Sequence, residues 1–80
     1  MNFVYTNHAK ENLVERKIKK EDVEQAILNP DEIFKGKKDR NISHKFIGNK
    51  LLRVIYKKEE KVYIVITAYY TKVGRYKKWR

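Results

Sequence analysis

Two N-terminal helices packed on a three- to four-stranded antiparallel sheet, an α+β fold in the order β-α-α-β-β-β, are what these 80 residues predict. Three observations lead there. Apolar residues recur at helical spacing as far as Leu28, they alternate with polar ones from Arg40 onward, and turn formers at Asn29-Pro30 and Gly48-Asn49 punctuate the change. Helices followed by a run of strands belong to the α+β class. Residues 1–80 are expected to form a single domain, since no internal repeat or long linker divides them.

Phe3-Val4-Tyr5 reads as a short edge strand. Thr6 offers an N-cap to a helix reaching Arg16 or Lys17, in which Ala9 and Leu13 share one face and His8, Asn12 and Arg16 form a polar stripe beside it. The second helix is expected over Lys20 to Leu28. Glu21 and Asp22 suit the positive end of its dipole, and Val23, Ala26 and Ile27 make its apolar face. Pro30 denies Asn29 helical geometry and stops it. A strand begins through Ile33 and Phe34, and a basic loop follows at Gly36 to Asp39. Ile42, His44 and Phe46 then alternate with Asn41, Ser43 and Lys45. Gly48-Asn49 signals a two-residue hairpin whose return strand covers Leu51 to Tyr56. After a charged turn at Lys58 to Lys61, Val62 to Tyr70 is apolar almost throughout and is expected in the middle of the sheet.

The net charge is +10, and it is unevenly placed. Residues 1–35 carry six basic and seven acidic groups, whereas residues 36–80 carry fourteen basic and three acidic ones. Such an excess on one half suits a phosphate backbone, and it would equally serve an acidic protein partner or a solubilising face. With no cysteine, disulfides and cysteine-ligated metal sites are excluded. The first nine residues lack the apolar core of a secretory signal, and no run approaches the ~18 apolar residues of a membrane span. A cytoplasmic protein without a membrane partner is therefore expected.

The acids cluster in the helical half and in turns, so the convergent carboxylates of a two-metal nuclease are not foreseen, and neither a metal nor another cofactor is expected. Metal-free RNA cleavage needs other parts: a proton acceptor, a proton donor, and cations for the charge that grows on phosphorus. The basic half offers His44, Arg53, Tyr69, Tyr70, Arg75, Tyr76, Lys77 and Trp79. Arg53 lies between Leu52 and Val54, so it must point to the opposite sheet face or pair. Tyr69 and Tyr70 face opposite sides, one to pack and one to act. His44 reads equally as a satisfied, partly buried histidine or as a base, and His8 as a packing or capping group or a catalytic one. Trp79 reads as an anchor or a stacking ring, and Arg75 and Lys77 as phosphate contacts or a solubilising tail.

The stretch Leu52-Arg53-Val54-Ile55-Tyr56, a charged turn, Val62 to Ala68 and a Tyr/Arg-rich end resembles the C-terminal half of the RelE/ParE toxin superfamily. The N-terminal part is similar to a small toxin-associated domain of unknown function that opens with H-A-x-x-R-x-x-x-R-x-I and continues to an N-P-D/E turn. His8, Ala9, Arg16 and Ile18 match it, then Asn29, Pro30 and Asp31, while Asn12 stands where the family has its first Arg. The resemblance implies a RelE-like fold, mRNA cleavage (on the ribosome in many members) and a tightly bound antitoxin. It places Arg53 on the phosphate and Tyr69 or Tyr70 in proton transfer or base stacking, with His8 and Arg16 as the relative's own signature. Arg16, Lys45, Arg75, Lys77 and Trp79 are the expected RNA contacts. Two other readings share the same charge and aromatic content: a non-catalytic RNA- or ribosome-binding module, and an interaction domain that meets an acidic antitoxin or gyrase.

Overall fold

A computed structural model describes residues 2–72. The elements run β1 (Asn2–Tyr5), α1 (Asn7–Glu15), α2 (Lys20–Leu28), β2 (Glu32–Lys35), β3 (Asn41–Ile47), β4 (Lys50–Glu59) and β5 (Val62–Lys72). They build one five-stranded sheet in the order β1-β5-β4-β3-β2.

This corrects the expected sheet of three to four antiparallel strands. Both short apolar runs in the first half, Phe3 to Tyr5 and Ile33-Phe34, become strands at opposite edges, and the sheet is mixed because β1 lies parallel to β5. Parallel neighbours cannot be joined by a tight turn. The two helices and three strands that separate β1 from β5 supply the long connection.

Local chemistry accounts for each boundary. Thr6 is extended (φ −65°, ψ 163°) and accepts a hydrogen bond from the Ala9 amide, which caps α1. Its hydroxyl also donates to the Ile66 carbonyl over 3.1 Å. Ile66 is the extra residue where β5 bulges against Ile55 and Tyr56, so one threonine caps a helix and covers a carbonyl at a sheet irregularity. Replacing Thr6 by alanine is expected to cost about 1–2 kcal/mol. Serine, which keeps the hydroxyl, should restore most of that, as urea melts of the three proteins would show. Gly48 turns the β3–β4 hairpin with φ 62°, a conformation that suits glycine at the first central position of a two-residue turn.

The core lies on one side of the sheet. Leu52, Val54 and Tyr56 of β4 and Val65 and Ala68 of β5 meet Ala9 and Leu13 of α1, Ile18, and Val23, Ala26 and Ile27 of α2. Tyr5 ties β1 to α2 by donating its hydroxyl to Glu24 over 3.1 Å. The helices are only partly packed, and Val14 and Leu28 stay exposed. Since neighbouring residues of a strand face opposite ways, the alternate set on β2 to β5 is turned away from the helices.

Candidate functional site

That second face carries a polar row. Glu32 pairs with His44 across β2 and β3, His44 with Arg53 across β3 and β4, and Arg53 with Tyr69 across β4 and β5. Four chemically active side chains thus stand abreast on four adjacent strands. His44 Nδ1 lies 3.1 Å from Glu32 Oε1, and its Nε2 lies 2.9 Å from Arg53 Nη1. The Phe34 ring meets the imidazole edge-on at 5.0 Å.

His44 is wholly buried. Burial pulls its pKa below the ordinary histidine value; the Glu32 hydrogen bond and charge push the other way, and the Arg53 charge adds to the depression. The net direction favours the neutral imidazole.

Helix α1 closes the far end of the row. Buried Asn12 donates a hydrogen bond to Thr67 of β5, and one turn later the Arg16 guanidinium lies 5.9 Å from the centre of the Tyr69 ring. Arg16 thus reaches Tyr69 from the helix end, and Arg53 stands at the register position opposite it on the neighbouring strand. Phe46 stands on the same strand face as His44 and is 39% exposed. Lys37, Lys38 and Arg40 of the β2–β3 loop border the face where they meet Ile42 and Ile55 around a pocket of about 310 Å³.

The other expected residues lie elsewhere. Tyr70 turns to the helix side and packs against the core, its hydroxyl pKa raised by burial and by the Asp22 charge. There it lines an open pocket of about 370 Å³ with Asn49, Lys50, Thr71 and Lys72, and the Lys50 ammonium sits 5.4 Å from its ring centre. Lys45 donates to the Asn29 carbonyl at the C-terminal end of α2, where a cation suits the helix dipole. His8 is exposed in the first turn of α1, and among the described residues no hydrogen bond or ion pair joins it to Arg53 or Tyr69. Arg75, Lys77 and Trp79 fall outside the described residues. Glu32 and Phe46 were not foreseen as site residues, and His44 was foreseen only as a candidate. The alternation of Ile42, His44 and Phe46 was the available signal, once the helices are known to cover only one sheet face.

Among the described residues no three histidine, aspartate or glutamate side chains gather as a metal centre requires, and no helix is long and apolar enough to cross a membrane. Fold and site together define a small basic α+β protein with an arginine–tyrosine row on the sheet face its helices leave uncovered. The chain belongs to the DUF4258 family, a domain of unknown function, whose match over residues 5–70 takes in both helices and the entire row. No curated protein and no solved structure matches the chain significantly.

Proposed function

We propose that this protein is a RelE-like toxin that cleaves mRNA without a metal ion, acts in the cytoplasm and is held in check by an acidic antitoxin. The observation that carries the reading is the position of Tyr69, with Arg53 directly across the strand pair and Arg16 over its ring. Guanidiniums hold phosphate through paired hydrogen bonds and stabilise the charge that builds on its oxygens during transfer.

The chemistry balances without a cofactor. The ribose 2′-hydroxyl oxygen bonds to the adjacent phosphorus while its proton passes to solvent. The bond from phosphorus to the 5′-oxygen breaks as the Tyr69 phenol protonates that oxygen, and Tyr69 regains its proton from water. A 2′,3′-cyclic phosphate and a 5′-hydroxyl result. Phe46, exposed on the same face, offers a ring on which a splayed base can stack, and the basic β2–β3 loop extends the surface along the strand.

Incubating mRNA with the protein in excess EDTA, with and without ribosomes, should yield fragments ending in cyclic phosphate. Tyr69→Phe should slow their formation about 10²-fold or more, the usual worth of a positioned proton donor. Binding should weaken with salt at a logarithmic slope of about −2 if Arg16, Arg53 and Arg40 each meet one phosphate of a single strand. RNA bound with that slope but never cut would make the same face a non-catalytic binding module. A flat salt response would remove RNA as the partner altogether.

A further inference from the structure

We propose that Glu32 and His44 are positioning residues whose task is to hold the Arg53 guanidinium in place on the row; this rests on the RNA-cleaving reading of that row. Hydrogen-bond chemistry fixes the direction of the relay. A guanidinium has donors and no acceptor, so at 2.9 Å from Arg53 Nη1 the His44 Nε2 must present its lone pair. The ring's single proton then resides on Nδ1, which donates it to the Glu32 carboxylate 3.1 Å away. Any other tautomer would set two donors against each other at Nε2.

The surroundings leave the imidazole little freedom. Its side chain is 0% exposed, the Phe34 ring abuts it, and the Glu32 carboxylate that anchors it is 15% exposed. The relay begins at the sheet edge, on β2, and ends on central β4. A guanidinium held in advance need not be ordered on substrate, an ordering that would add to the barrier. His44 serves as a neutral acceptor that orients a cation, and its Nε2 is engaged by Arg53 rather than poised to take the 2′-hydroxyl proton.

Three measurements test this. At pH 7 the ¹⁵N spectrum of the intact protein should show a protonated Nδ1 and a bare Nε2 on His44. A proton on Nε2 would overturn the assignment. The two terminal nitrogens of Arg53 should give separate signals in wild type and averaged ones in His44→Leu; averaged signals already in wild type would also overturn it. In RNA cleavage under EDTA, His44→Leu should lower kcat by about 10²-fold with KM little changed, the expected penalty for a misplaced catalytic group. His44→Gln, whose amide oxygen can accept from Arg53, should recover part of that loss, and it carries the test if the leucine variant does not fold. A folded His44→Leu or His44→Gln protein with wild-type kcat would refute the positioning role. A wild type that cuts no RNA would defeat only the functional reading, and the two ¹⁵N measurements would still decide the relay.

Discussion

Replacing Arg53 with alanine should lower RNA cleavage by about 10²–10³-fold, the usual loss when one donor to a developing oxyanion is removed. The expectation follows from its place in the row, hydrogen-bonded to His44 and opposite Tyr69 in the strand register. Lysine is a poor substitute. It keeps the charge but cannot offer two parallel N–H bonds to a phosphate, so Arg53→Lys should regain only a small part of the rate. The alanine protein also leaves the buried His44 Nε2 without its arginine donor, at a cost of about 1–3 kcal/mol. Rates should therefore be compared well below the melting temperature of the weaker protein. Unchanged cutting by a folded Arg53→Ala protein would refute the proposed chemistry.

Leu52→Ala should produce the largest loss of stability. Leu52 is fully buried on β4, on the helix side of the sheet beside Arg53 in sequence. Emptying such a site costs about 2–5 kcal/mol through lost burial and the cavity left behind. Against a total of roughly 4–12 kcal/mol for a chain of this length, that is a large fraction. A fall in Tm of at least about 10 °C is expected, since each kcal/mol shifts a domain of this size by roughly 4–8 °C. Assayed cold enough to stay folded, the same variant should cut RNA with a kcat near wild type, because its side chain lies across the sheet from the row. A normal Tm would mean that the helix-side packing is wrongly placed, and a collapsed kcat in a folded protein would mean that the two faces are not independent.

Local chemistry made much of the chain legible in advance. Helix α2 begins and ends where the acidic first turn and Pro30 put its limits, Lys20–Leu28. Thr6 caps α1, and Gly48-Asn49 makes the hairpin. The mid-strand position of Arg53 and the opposite facing of Tyr69 and Tyr70 needed only the two-residue period of a strand. The sheet was harder to foresee, because β1 pairs with a strand some sixty residues away and a sequence pattern carries no record of such a partner. Glu32 was hidden for the same reason. Alone it is one more surface acid, and it gains meaning only through the register that sets it opposite His44. His44 could be read two ways because burial decides its role, and its neighbours Phe34 and Arg53 arrive from two other strands. Arg16 belongs to a helix stripe by sequence, and only the docking of α1 along β5 brings it to Tyr69.

The parallel pairing of β1 with β5 also governs when the sheet can be completed during synthesis. β1 is made before the other four strands, yet its neighbour β5 is made last of the five. At roughly 5–20 residues per second, several seconds of translation separate the two. Throughout that interval Phe3 and Tyr5 have no β5 to shelter against, and the row lacks Tyr69. Under the RNA-cleaving function proposed above, a half-translated chain would thus be unable to cut the message it is being read from.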